Sequence, residues 1–359
     1  MFLFVFFAGI FSVYADEKDS IVSRRSVFVI PRPGYQPETS WLAGVSLGYY
    51  FKSNDISRIS SISGSAEYTL LHQFIFNITP KIYFGDDKKW YLYSNLNFRN
   101  YPDFFYGIGN TPTNIKQLYT AQNFNALLQP QYALTREIYV GGTLSYRNER
   151  VKTDSTFEQN KAEIYERFGA AGWSHFSQIQ VGVMVSYDSR DSQFYPEKGI
   201  FAKTTLATSH RKLGSDYTIT DFSVDFRNYI PLFGKHVFAW QAIYQAVLSK
   251  DAMPFQLVPT LGGRDQMRGF RQGIYRENVL MMLQSEYRLP IYKRLKAAIF
   301  MSAGDVVNSE NYHIDKLKVA YGAGLRYRLN DARVHLRVDF AKNNYGDKLQ
   351  FYITATEAF

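Results

Sequence analysis

The sequence predicts an all-β fold, a transmembrane antiparallel β-barrel of about 16 strands. Three observations predict it: a period of two recurring from Trp41 onward, an apolar leader, and a composition with 28 Tyr and 29 Phe against only four Trp. Aromatic side chains favour strands. In a barrel they also suit the girdles where lipid headgroups meet water.

The leader is Met1–Ala15, MFLFVFFAGIFSVYA, apolar and ending in the small-residue pattern of a secretory cleavage site. A bilayer span needs about 20 apolar residues. This run is shorter, so a cleaved signal peptide with a mature start near Asp16 is expected rather than an anchor. Beyond it no run of 18 apolar residues occurs, and any crossing must be made by strands. Residues 16–40 are polar and carry Pro31, Pro33 and Pro37, which reads as a short periplasmic lead-in to a barrel over 41–359.

Period-two runs then follow in order: Leu42–Phe51, Ile59–Thr69, Gln73–Phe84, Trp90–Tyr101, Leu118–Gln131, Ile138–Asn148, Phe176–Tyr187, Ile200–Ser209 and Tyr217–Ile230. They continue with His236–Ser249, Asn278–Leu289, Lys296–Val306, Lys318–Leu329, Arg333–Ala341 and Lys348–Phe359. A sixteenth falls at either Ala162–Phe168 or Ser26–Ile30. Gly85-Asp86-Asp87, Phe233-Gly234-Lys235 and Asn330-Asp331 mark turns between them.

Alternation is sharpest late in the chain. Val334, Leu336, Val338 and Phe340 share one face, opposite Arg333, His335, Arg337 and Asp339. A soluble sandwich would bury the apolar face, whereas a membrane barrel turns it to lipid and the charges to a wet lumen. The leader, the aromatic content and the ending on Phe359, on one face with Leu349, Phe351, Ile353 and Ala355, select the barrel. Glu357 interrupts that face and is expected at the interface, where a charge costs about 0–1 kcal/mol.

The net charge of +9 would fit nucleic acid, but the basic residues are scattered along strands and the leader exports the chain. Outer-membrane lipid or lipopolysaccharide suits that charge better. With no Cys there are no disulfides, no thiol chemistry and no lipoprotein anchor. The six His stand singly, without metal-ligand spacing, and no nucleophile–base pattern or phosphate loop is found. No enzyme, cofactor or metal is expected.

Two stretches concentrate special residues. Leu261–Phe270, LGGRDQMRGF, has Gly262, Gly263 and Gly269 for positive φ and close approach, with Arg268 beside the bulky Phe270. Residues 187–200, YDSRDSQFYPEKGI, place Asp188, Arg190, Asp191, Pro196 and Gly199 between two strands, which reads as a hydrogen-bonded turn bracketing a hairpin. Together with YGIGN (106–110), SEYRLPI (285–291), AYGAGLRY (320–327), VHLRVDFA (334–341) and FYITATEAF (351–359), these resemble the BamA/TamA surface-antigen family of outer-membrane assembly barrels. Phe359 then resembles that family's terminal aromatic signal.

The resemblance implies 16 strands and a lumen loop in which Arg268 pairs with acids on the two following strands. Alternation turns Glu286 inward as the first partner. The second falls at Ser302, in FMSAG, where the family has Asp, so the anchor is expected to be half kept. Residues 16–40 cannot hold a periplasmic docking repeat, and a barrel-only member is expected. The implied function is assembly, insertion or translocation of protein or lipid clients at the outer membrane, through a weak seam between Leu42–Phe51 and Lys348–Phe359. Its partners would be unfolded outer-membrane proteins or an accessory lipoprotein. The alternative is a passive pore, or a structural barrel within a larger complex.

Overall fold

The computed structural model describes residues 25–51, 60–85, 89–111, 113–314, 316–329, 333–355 and 357–359. The leader at Met1–Ala15 and the turn residues Asp86, Asp87, Asn330 and Asp331 lie outside them. Sixteen antiparallel strands close a barrel among the described residues. β1 is interrupted, running over Arg25–Pro31 and again over Gly34–Gln36. It is followed by β2 (Ser40–Phe51), β3 (Ser60–Thr69), β4 (Phe74–Phe84), β5 (Trp90–Phe105), β6 (Gln117–Ala133) and β7 (Ile138–Thr153). After helix α1 (Phe157–Phe168) come β8 (His175–Asp188), β9 (Gly199–Ser209), β10 (Ile219–Pro231) and β11 (Val237–Ser249). The last five are β12 (Val279–Tyr292), β13 (Leu295–Val307), β14 (Lys318–Arg328), β15 (His335–Asn343) and β16 (Gln350–Thr354).

The burial pattern is inside-out, as the alternation requires. Leu283, Leu325 and Phe340 point outward and are about half exposed, whereas their neighbours Gln284, Arg326 and Asp339 are buried. Phe84, Trp90 and Tyr132 meet at one rim, and Trp41, Tyr68 and Phe74 lie at the other, on the outer surface. The connections 106–116, 154–174 and 250–278 all leave the second rim, termed here the long-loop rim. The turns 232–236 and 293–294 lie at the opposite, short-turn rim.

Three expectations change. The sixteenth strand is Ser26–Ile30, not Ala162–Phe168, so residues 25–36 belong to the wall instead of leading into it. Prolines at 31 and 33 cannot donate to a ladder, which is why β1 breaks there. Ala162–Phe168 is helical because Phe157 and Ile164, seven apart, bury one face, while Glu163 and Arg167 pair at 2.9 Å on the other. The last strand stops at Thr354, and the chain turns inward, so Glu357 and Phe359 are buried inside the barrel instead of facing lipid.

The seam therefore lies between β1 and β16, one strand earlier than expected. Its register is a single pair, Tyr35 with Ile353. By contrast, β5 and β6 share sixteen pairs. The registered pairs of Arg25–Pro31 are all with β2. Outside the seam, Tyr35 stacks on Phe351 at 3.8 Å and Trp41 packs edge-on against Tyr35.

Candidate functional site

The longest connection, 250–278, enters the lumen from the long-loop rim. Its stem is a two-residue ladder, Thr260–Leu261 against Tyr275–Arg276, and Gly109 of YGIGN bridges to Arg276. Gly262 has φ +104°, and a Cβ there would sit 2.8 Å from the Phe270 carbonyl, so only glycine lets the loop close. Gly269 (φ +108°) likewise presses its backbone on Lys342 of β15. Leu261, Met267, Phe270 and Tyr275 pack on Leu280, Val306 and Ala320 of the wall, an apolar contact inside an otherwise polar lumen.

At the loop's tip Arg268 is fully buried. Its Nη2 donates to Glu286 Oε2 at 2.9 Å, and its guanidinium lies 3.6 Å from the Phe300 ring centroid. The first expected partner is thus in place. The second is not Ser302, whose Oγ makes only a 3.5 Å contact with the Ala320 carbonyl. Asp339 of β15 accepts from Arg268 Nη1 at 2.5 Å instead. The anchor is complete, with its second acid supplied two strands later than the motif would have it. Asp305, the other nearby acid, pairs with Lys318.

These residues form a larger ion cluster. Arg326 donates to Glu286, Asp339 and Glu357, and Arg288 donates to Glu286 at 2.8 Å. Arg337 reaches the Arg264 carbonyl at 2.9 Å. Four guanidiniums (268, 288, 326, 337) thus face three carboxylates (286, 339, 357), all buried. The backbone of Gly269 is held as well, its N–H donating to Tyr352 Oη at 3.0 Å and its carbonyl accepting from Asn343 at 2.7 Å. Past the tip, Arg271 donates to the Pro37 carbonyl at 3.1 Å, and Glu38 Oε1 accepts from the Gln272 N–H at 2.7 Å. Burial pushes the Glu38 carboxyl above its ordinary range, against the pull of that hydrogen bond and of Arg271.

The second motif closes the short-turn rim. Asp188 and Arg190 form a bidentate pair at 2.9 Å. Asp191 accepts from the Glu197 and Lys198 N–H groups and from Arg333 Nη1 at 2.7 Å. Gly199 sits at φ +106°, where a Cβ would strike the Ser189 carbonyl at 2.4 Å. The turn is the hydrogen-bonded bracket expected, and it also touches the ion cluster: the Pro196 carbonyl accepts from Arg288 Nη1, and Arg288 Nη2 donates to the Phe359 carbonyl. Phe359 packs on Tyr229, Val237 and Ala239 inside the barrel.

The sequence reading did not assign Asp339, Arg288, Arg326, Tyr352 or Glu38 to the loop's anchor. Alternation alone turns Arg337 and Asp339 inward, so the signal for Asp339 was present but outweighed by the motif. Among the described residues no group of three or more metal-ligating side chains converges. Opposite the cluster, two cavities of ≈ 700 and ≈ 560 Å³ remain between the loop and β3–β11, meeting at Asn95, Asn125 and Arg147.

A model of the Omp85 superfamily domain matches residues 58–359. Among solved structures, the chain is similar to BamA from Haemophilus ducreyi lacking POTRA domains 1–3, with TM-score 0.65, 16% identity, and 93% of this chain and 70% of that one covered. It is similar to CdiB from Acinetobacter baumannii, with TM-score 0.60, 12% identity and coverage of 93% and 60%. For CdiB from Escherichia coli the values are 0.59, 12%, 91% and 62%. The chain thus spans less than two thirds of either CdiB. At these identities the likeness carries the fold. No curated protein matches the sequence.

Proposed function

The chain belongs to the Omp85 superfamily of outer-membrane β-barrels, and from that premise we propose that it acts in assembly, insertion or translocation of a protein or lipid client at the outer membrane. The observation that carries this reading is the seam, closed by the Tyr35–Ile353 pair alone. A strand edge without partners is a template for an incoming strand. Here the edge of Arg25–Pro31 lies beside a last strand of only five residues. The loop's anchors Asp339 and Tyr352 lie on the seam's own side of the barrel, so parting β16 from β1 would pull on the plug.

The test uses the absence of cysteine. In a Tyr35→Cys, Ile353→Cys protein the disulfide locks the seam and reductant frees it. The expected result is loss of outer-membrane protein or lipid levels when the locked form is the sole copy, matching depletion, with recovery on reduction. Depletion that changes those levels while the locked form sustains them would overturn the seam mechanism. Unchanged levels on depletion would sink the assembly reading itself. A second reading, a passive pore, draws on the two lumen cavities; it requires large steady currents in planar bilayers, whereas a plugged barrel gives small erratic ones.

A further inference from the structure

The lumen wall facing the two cavities carries a chemistry that neither the plug nor the seam uses. At mid-height on β4–β7 most inward positions are uncharged amides and hydroxyls, with Arg147 among them paired to Glu149. Asn95 donates to Asn77 Oδ1 at 2.9 Å and to Thr79 Oγ1 at 3.0 Å, and Asn125 donates to Asn123 at 2.9 Å. Each amide spends only part of its hydrogen-bonding capacity on neighbours and turns the rest to the cavity.

Two cations stand in this setting with no ion pair of their own, the nearby acids Glu149 and Asp225 being paired to Arg147 and Arg227. Arg99 of β5 projects into the larger cavity, exposed to it, and has no hydrogen-bond or ion-pair partner among the described residues. The other guanidiniums around it are satisfied: Arg32 by Glu67 at 2.9 Å, Arg147 by Glu149 at 2.6 Å, and Arg276 by the Phe255 and Gly273 carbonyls. In the second cavity Lys203 donates to the Gln129 amide at 2.8 Å, while nearby Asp225 is committed to Arg227. A free guanidinium in a walled cavity is a ready hydrogen-bond donor to a carboxylate or phosphate.

We propose that the joined cavities bind a short acidic oligosaccharide, its carboxylate or phosphate on Arg99 and its hydroxyls on the amide wall. Sugar hydroxyls both donate and accept, as do the Asn, Gln, Ser and Thr side chains that face them. Tyr101 and Tyr119 line the larger cavity as well. A peptide would also need places for apolar side chains; the larger cavity, around Arg99, is lined mainly by polar groups, and Ile219, Ile243 and Leu257 belong to the smaller one. Both volumes lie within the range of about 300–1,000 Å³ typical of ligand sites.

The full chain in detergent is titrated calorimetrically with trigalacturonate, maltotriose 1-phosphate, maltotriose, inorganic phosphate and triglutamate. At least one acidic trisaccharide should bind tenfold or more tighter than maltotriose, the pair of them distinguishing carboxylate from phosphate. Arg99→Gln should erase that margin while leaving the heat at which the folded gel band disappears unchanged. Asn125→Leu should weaken the acidic and neutral sugars alike. Equal binding of maltotriose would overturn the proposal, as would no sugar binding at all. Triglutamate binding as tightly as the sugars would reassign the site to acidic peptide, and phosphate alone accounting for the affinity would reduce it to an anion site. The comparison among wild-type ligands stands even if a variant fails to fold.

Discussion

The two halves of the lumen wall have the same backbone and the same alternation, yet they do opposite things. On β12–β16 the inward residues include Glu286, Arg288, Arg326, Arg337 and Asp339, a buried cluster locked to the loop through Arg268. On β3–β11 most mid-height inward residues are amides and hydroxyls beside open space. The loop's tip is therefore fastened to one wall and faces open space on the other, while nearer the long-loop rim Arg271 and Phe255 hold the loop to β5 and β6. A buried ion cluster is a poor source of net stability, because desolvation offsets the Coulombic gain. Its use here is positional: Arg268 meets Glu286 and Asp339, and Arg337 meets the Arg264 carbonyl, only with the tip seated against β12 and β15.

The largest effect comes from unbalancing the locked half. Glu286 accepts from Arg268, Arg288 and Arg326 at once. Glu286→Gln keeps the shape and leaves four guanidiniums facing two carboxylates. The expected cost is about 3–5 kcal/mol, as for breaking a buried pair, seen as early loss of the folded gel band on heating. Near-wild-type heat resistance would mean that the cluster is not holding the wall together.

Arg268→Ala should do less to the barrel and more to the loop. Glu286 retains Arg288 and Arg326, and Asp339 retains Arg326 and Arg337, so the remaining charges balance, three against three. Losing its charge-assisted hydrogen bonds costs about 1.5–3 kcal/mol, concentrated in loop docking. Bilayer current noise should rise well before heat resistance falls. A large drop in heat resistance with quiet currents would reverse this division of labour.

How much of this was legible follows from which signals are local. Alternation is a property of the strand, so the inward turn of Glu286, Arg337 and Asp339 and the outward turn of Leu283 and Phe340 could be read directly. The glycines at 262, 269 and 199 were legible because a close approach leaves no other residue type. The second acid was not, because Arg268 and Asp339 are 71 residues apart and the motif placed the partner at Ser302. The inward turn after Thr354 was also hidden: Phe359 continues the apolar parity of the strand, and only Arg288 and the Tyr229 pocket explain why it leaves the wall.

The loop's contact with the turn 37–39 predicts a smaller effect, dependent on pH. Glu38 lies outside the strands, and burial raises its pKa above the ordinary value of about 4.3. The folded state thus holds this proton more tightly than the unfolded state does. Stability from this group is fully present below about 4.3 and is lost as pH rises through the folded value. Glu38→Gln keeps an acceptor for the Gln272 N–H, so it should flatten that slope and leave heat resistance at neutral pH equal to or slightly above wild type. A slope that survives the substitution would assign it to another group.

The smallest effects are the sharpest test of where the loop is fastened. Ser302 stands where the motif has its acid, and Asn125 stands in the open half. Neither carries a charge, and Ser302 Oγ meets only the Ala320 carbonyl, at 3.5 Å, too long for a strong hydrogen bond. Ser302→Ala and Asn125→Ala should each change stability by less than about 0.5 kcal/mol, measured as the heat needed to lose the folded band. For Asn125 the reason is space, because a cavity already adjoins it. For Ser302 the reason is replacement, because Asp339 already accepts from Arg268. A cost above about 1 kcal/mol at Ser302 would mean that β13 shares the docking, and the boundary between the two halves would move by a strand.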